Sequence, residues 1–293
     1  MPKADPRGLG AVLLGAAILG FAAIFVKWSA AGGATALTVG FYRMLFALPG
    51  TWLLARATGD VAGDPAGRRW ALVAGALFFG DLYLWHLAMH HTSAANATLL
   101  VGGLSPIWVA LFSFAFLRLR YGGLGWAGQG VGLAGALVLA LAKGARMGDG
   151  KGEVIAVAAS FCYAAFTLAL GRARQRLHAT QALFWMSFSC LVCFGLAAWA
   201  EGDPFRGYTA AGWLSLVGLG LVVQVLAWWL NTWGLGHVDP ALGAIGLQGQ
   251  QVATIFLAWA LLHEPLKPLG FLGGAAIVAG IIMVAASPKR VAA

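Results

Sequence analysis

Charge is scarce in this chain: Asp, Glu, Lys and Arg together make up 10% of its residues, against roughly 25% in a soluble domain, so a water-soluble fold is excluded. Cysteine is nearly absent as well. Cys162, Cys190 and Cys193 all fall in apolar runs with no spacing suited to a disulfide framework or a metal cluster, so neither can staple the fold. No Gly-rich phosphate loop occurs, so ATP is not expected as the direct energy source, and no HExxH or paired-aspartate motif suggests a metal site or another cofactor. The ten acidic residues are too few to balance the cations, and the formal net charge is +9. The bases lie between hydrophobic runs rather than in a patch, so they speak of orientation in a bilayer and not of nucleic acid.

What is present is hydrophobicity, at 60% of residues, in long runs from Gly8 to Ser287. Each run is about 20 residues, enough for a helix to cross roughly 30 Å of hydrocarbon. Ten spans are predicted at approximately 8–30, 34–55, 70–90, 93–117, 123–142, 152–171, 180–200, 210–234, 240–262 and 268–287. The first run is long enough to remain as a span rather than be cleaved as a signal peptide. If the amino terminus is cytoplasmic, twelve Lys and Arg fall on that side and six on the other, with Arg43 inside a span. The bias predicts that both termini face the cytoplasm.

The two halves of the chain resemble each other. LGWAGQGVGLAGALVLA at 124–140 slides by 145 positions onto LGFLGGAAIVAGIIMVA at 269–285, so that Gly125, Gly128 and Gly135 meet Gly270, Gly273 and Gly280. The division falls into a first repeat, 1–145, and a second, 146–293, of five spans each. An odd span number makes the second copy enter the bilayer from the opposite side, the arrangement of many secondary transporters. The predicted fold is therefore an all-α polytopic membrane protein, two inverted five-helix repeats around a central cavity. Transport is expected to proceed by rocking of the two halves.

Several residues stand out against the apolar background. Arg43 and Asp81 each place a charge within a span, at a cost of about 3 kcal/mol or more, and charges kept there usually face a pathway or a partner. Taken as antiparallel, spans 2 and 3 put the two at similar depth, so a structural or coupling ion pair is expected. Tyr83 and His86 share a face of span 3 with His90, and Tyr163 lies on one face of span 6 with Ser160 and Thr167. Gln224, Trp228 and Asn231 form a face of span 8 that can stack an aromatic ring and hydrogen-bond a polar end. Gln248 and Gln251 share a face of span 9 and should meet protein or water. Gly102, Gly103 and Pro106 mark a gate or hinge in span 4, because Pro removes a helical hydrogen bond. The glycines of spans 5 and 10 form packing surfaces, either internal or for a homodimer.

Three segments carry a family likeness: FYRMLFALPG from Phe41, the Pro-containing LSPIWVALFSFAFLRLR from Leu104, and LAWALLHEPLK from Leu257. In these the chain resembles the drug/metabolite transporter superfamily, in particular its EamA-type exporters, over nearly its whole length. Arg118 and Arg120 stand where that family usually ends its fourth span with an acid, so a role of that acid does not carry over. The run QVLAWWLNTWGLGHVDPALGAIGLQGQQ from Gln224 looks like bacterial aromatic amino acid exporters. The resemblance implies export of amino acids, aromatic ones first and threonine or other small metabolites besides, across the bacterial inner membrane. It implies no enzyme activity. The competing reading is a membrane-embedded enzyme acting on a lipid or prenyl substrate.

Overall fold

The computed structural model describes residues 5–291 apart from 60, 90, 92–99, 103, 106, 110, 113–118, 143–149, 204, 239, 248, 263–267 and 288. Span 1 is α1 (Pro6–Leu19) and α2 (Phe21–Ala31), broken at Gly20; spans 2 and 3 are α3 (Ala36–Ala57) and α4 (Pro65–Met89). A shorter apolar helix, α5 (Leu100–Val109), belongs to span 4, and α6 (Gly123–Ala142) is span 5. Spans 6 and 7 are α7 (Lys151–Arg174) and α8 (Ala179–Glu201). Span 8 runs from α9 (Ala210–Gly218) through a π-helical stretch, Leu219–Ala227, into α10 (Trp228–Leu235). Span 9 is α11 (Pro240–Gly246) and α12 (Gly249–Leu262), and span 10 is α13 (Pro268–Ala286). Among the described residues, five helices are long and apolar enough to cross a bilayer by length and composition: Pro6–Ala31, Ala36–Ala57, Lys151–Arg174, Ala179–Glu201 and Ala210–Leu235. Leu14, Leu53, Leu196, Trp199, Leu214, Leu272 and Ile282 are each more than half exposed, an outward apolar belt that water would not tolerate and lipid would.

Local chemistry sets the helix ends. Asp5 accepts from Arg7 N at 2.9 Å with Pro6 as the first helical residue, and Asp64 accepts from Gly67 N at 2.7 Å ahead of Pro65. Thr35 and Thr38 exchange side-chain and backbone hydrogen bonds at the start of α3. Gly202 closes α8 at φ 72°, a left-handed turn that favours glycine.

Helix directions show the inversion. In spans 5 and 10, Gly128 lies against Gly280, and Gly135 against Gly273, so the two helices cross antiparallel. A β-carbon on Gly128 would stand 2.9 Å from the Gly280 carbonyl, and one on Gly135 2.7 Å from the Gly273 carbonyl. The 145-residue offset pairs Gly128 with Gly273 and Gly135 with Gly280. Exchanging the repeats therefore turns one contact into the other, as a two-fold axis requires. Gly128, Gly132 and Gly135 of span 5 and Gly280 of span 10 thus face protein, whereas Gly123 and Gly130 face open space.

Spans 2 and 7 repeat this logic at larger scale. Thr58 and Thr180 hydroxyls are 2.6 Å apart at one end, and Thr35 donates to Asp203 at 2.6 Å at the other. Adding 145 to Thr58 gives Asp203, and adding it to Thr35 gives Thr180, so the two clasps are symmetry mates. Trp185 Nε1 donates to the Val61 carbonyl near the first clasp, and Tyr42 donates to the Phe205 carbonyl near the second. The short strands β1 (Leu119–Tyr121) and β2 (Lys289–Val291) pair antiparallel and join the segments after spans 4 and 10 at one end of the bundle.

The most extensive helix contacts all run between repeats: 5 with 10, 3 with 6, 2 with 7, 3 with 7, and 1 with 8. Trp108 of span 4 donates to Ser160 of span 6 at 3.0 Å, and span 9 leans on the break in span 1 through Thr254 and Gly20. Spans 3, 4, 6 and 7 thus form one packing bundle, and spans 1, 2, 8 and 9 the other. Each packing bundle mixes both repeats, because the spans bury their apolar faces chiefly on helices of the opposite repeat.

Overfilling the crossing of spans 5 and 10 is expected to cost about 1–3 kcal/mol. Gly135→Leu should lower the thermal midpoint in detergent. Gly130→Ala, where a β-carbon meets nothing within 4 Å, should leave it unchanged or slightly raised.

Candidate functional site

About a third of the way from the Thr35 clasp to the Thr58 clasp, span 2 presents Arg43, 8% exposed. A guanidinium at this depth needs acceptors, since leaving a charge unpaired away from water is costly. Its Nε donates to Gln224 Oε1 at 2.9 Å, and Gln224 Nε2 donates on to Ser187 Oγ at 3.2 Å, linking spans 2, 8 and 7. Gln224 is fully buried and lies in the π-helical stretch. Such stretches are rare and frequent at functional sites, and this one turns an amide toward span 2 that a regular helix would aim elsewhere. The guanidinium also lies 5.7 Å over the Phe78 ring.

Asp81, one turn beyond Phe78 on span 3, is 4% exposed, and its Oδ1 has no hydrogen-bond partner. The expected ion pair is not formed: Arg43 and Asp81 interact electrostatically but not within bonding distance, because Gln224 holds the guanidinium. Cys162 and Tyr163 of span 6 and Cys190 of span 7 complete the surroundings of Asp81.

Three rings fill the space below it. Phe78 stacks on Phe166 at 4.7 Å, and Trp228 meets them edge-on at 5.0 and 5.3 Å. Tyr163 extends the group, 5.8 Å from Phe166. Trp228 Nε1 and both amide atoms of Asn231 are buried without hydrogen-bond partners. Buried polar atoms are seldom left unpaired, and each marks a place where water or a ligand can bond.

The predicted faces are partly redrawn. Gln224, Trp228 and Asn231 do not share one neighbour: they meet Arg43, the Phe78–Phe166 pair and Gly15 of span 1 respectively. The π-helical stretch changes the angular step between Gln224 and α10, which splits the face. Tyr83 turns away from the centre, donates to Glu201 at 3.1 Å and stacks on Phe79. The side chains of His86 and Gln251, and residues Gln248, Gly103 and Pro106, lie outside the described residues. Gly102 is helical, its carbonyl accepting from Ser105 Oγ at 3.2 Å. Phe78, Phe166, Ser187 and Cys190 were missed by the sequence reading. Aromatic and small residues inside an apolar run give no signal of their own, although Phe78 stands three before Asp81 and Phe166 three after Tyr163. No group of three or more metal-ligating side chains occurs among the described residues.

Inverted, interlocked repeats around a buried charged and aromatic centre define a multi-pass membrane protein built like a transporter. The chain belongs to the EamA-like transporter family, whose pattern matches residues 6–141 and 150–286. It is similar to the uncharacterized transporter YwfM of Bacillus subtilis (strain 168), 26% identical over 211 residues, which are 71% of this chain and 70% of that relative. A protein of known crystal structure superposes with a TM-score of 0.79 at 19% identity, covering 94% of this chain and 97% of the other, a likeness of fold.

Replacing Arg43 by Met leaves the fully buried Gln224 Oε1 without its donor and is expected to cost about 1–3 kcal/mol, read as a lower thermal midpoint. The double variant Arg43→Met with Gln224→Leu should recover most of that loss, since apolar groups then replace both partners.

Proposed function

We propose that the protein is a secondary exporter that carries amino acids, aromatic ones first and threonine or other small metabolites besides, out of the cytoplasm by alternating access. The observation that carries this reading is the internal two-fold. Any conformation open at one end has a counterpart of similar packing open at the other, obtained by exchanging the repeats. The aromatic preference is supported by the rings of Phe78, Phe166 and Trp228, which offer stacking surfaces, and by Trp228 Nε1 and the Asn231 amide, which are free to donate to a carboxylate. The end bearing Arg56, Arg68, Arg69, Arg172, Arg174 and Arg176 is the more basic. Its excess supports a cytoplasmic placement in a bacterial inner membrane.

The two clasps of spans 2 and 7 are closed together, whereas gates of an alternating device should differ between its ends. Spans 2 and 7 thus act as an axle pinned at both ends. The two mixed bundles rock about it, parting at the contact of Phe78 with Trp228.

Purified protein in liposomes should show flux of tryptophan and phenylalanine, with threonine slower. Absence of flux for all three would overturn the substrate reading. In a background without native cysteines, a disulfide between Thr35→Cys and Asp203→Cys should leave flux intact. Flux that stops on oxidation and returns on reduction would show that the ends of spans 2 and 7 must part, against the axle.

A further inference from the structure

Asp81 is an anomaly that the fold does not explain. Its carboxylate is 4% exposed at mid-depth in an apolar bundle, and Oδ1 has no partner. Among the described residues the cation near it is Arg43, which is held by Gln224, which in turn bonds Ser187. Arg43 and Gln224 belong to one packing bundle, and Asp81 to the other. A direct Arg43–Asp81 bond would join the bundles through opposite charges; the structure instead joins them through a neutral amide–hydroxyl bond, Gln224 to Ser187, and leaves the carboxylate open. A buried carboxylate without a bonded counter-charge is costly, so the arrangement favours whatever cation can reach it. The neighbouring groups fit a compact organic cation. Tyr163 of span 6 lies near Asp81 and extends the ring cluster, so an aromatic side chain borders the carboxylate where an ammonium group would sit. Trp228, touching Phe78, adds a flat surface for an apolar body and an unpartnered N–H.

We propose that Asp81 is the recognition site for the primary ammonium group of an aromatic amine-bearing substrate, and that Gln224 keeps this site open by holding Arg43 back. The proposal rests on the reading of the ring cluster as the substrate site, but it makes a separate demand: the charge at Asp81 selects for the amine whether or not the ligand carries a carboxylate. Loss of Gln224 would free Arg43 to swing onto Asp81 and compete with the ligand. Gln224 is in this sense a positioning residue, acting through Arg43.

The test is equilibrium binding to detergent-solubilised protein of three radiolabelled probes: tryptophan, tryptamine, which lacks the carboxylate, and 3-indolepropionate, which lacks the amine. The native protein should bind tryptamine and tryptophan, and 3-indolepropionate about tenfold or more weakly. Asp81→Asn should bring the two amines down to the level of 3-indolepropionate and leave that probe unchanged, while Asp81→Glu should retain part of the preference. Gln224→Leu should weaken tryptamine binding, and adding Arg43→Met to it should restore it. Native protein that binds 3-indolepropionate as tightly as tryptamine overturns the proposal without recourse to any variant. So does folded Asp81→Asn protein with undiminished affinity for both amines. Binding of tryptamine without tryptophan, with the Asp81 dependence intact, would sink the amino acid reading and keep this one. Failure to bind either amine would sink both.

Discussion

Between the helices of Gly128 and Gly280 there is no room for a β-carbon, and the same holds for Gly135 and Gly273. That close antiparallel approach is what the architecture depends on. In hydrocarbon there is no hydrophobic force to press helices together, so close packing, interhelical hydrogen bonds and lipid entropy hold them. Small residues at a crossing let backbones approach to contact. Because the crossing lies on the internal two-fold axis, it serves both repeats at once, as does the pairing of spans 2 and 7 with its matched hydroxyl clasps. The remaining contacts come as exchanged pairs: span 3 on span 6 answers span 8 on span 1.

This interlocking changes the meaning of the repeat. Five consecutive spans form a unit of sequence but not a unit of packing, since each buries its apolar face on the opposite repeat. The packing bodies are mixed bundles, and the line between them passes through the centre. Charge and aromaticity are gathered there. Arg43, Gln224 and Ser187 form a bonded chain across spans 2, 8 and 7, and the rings of Phe78, Phe166 and Trp228 press together beside it. On the proposed alternating access, a ligand at such a seam would touch both bundles, so its contacts would change with their relative position.

The π-helical stretch Leu219–Ala227 is the local irregularity in the helices that build the centre. It places Gln224 on Arg43 while α10 directs Trp228 to the rings and Asn231 to span 1. The amide bond to Arg43 and the isolation of Asp81 are two sides of one arrangement. Had the guanidinium met the carboxylate, both charges would have been satisfied within the protein and nothing would remain for a ligand.

Much of this was legible in the chain itself. The absence of charge over long runs required membrane spans, and the offset glycines from Gly125 to Gly280 required repeats of odd span number, hence inverted ones. Arg43, Asp81 and Gln224 were visible because polar groups in apolar runs are costly and are kept only for a reason. Which of them would bond was not visible. Depth along a helix follows from residue count, but which acceptor a buried guanidinium meets depends on the spans folded against it, so Arg43 bonds Gln224 of span 8 and not Asp81. The sequence by itself determined the spans, their alternation and the inverted likeness, because these follow from hydrophobicity and periodicity along one dimension. Only the tertiary structure decided which helices pack together, that bundles mix the repeats, and which buried charge is left open. Those depend on contacts between residues far apart in the chain, such as Arg43 with Gln224, that no local pattern encodes.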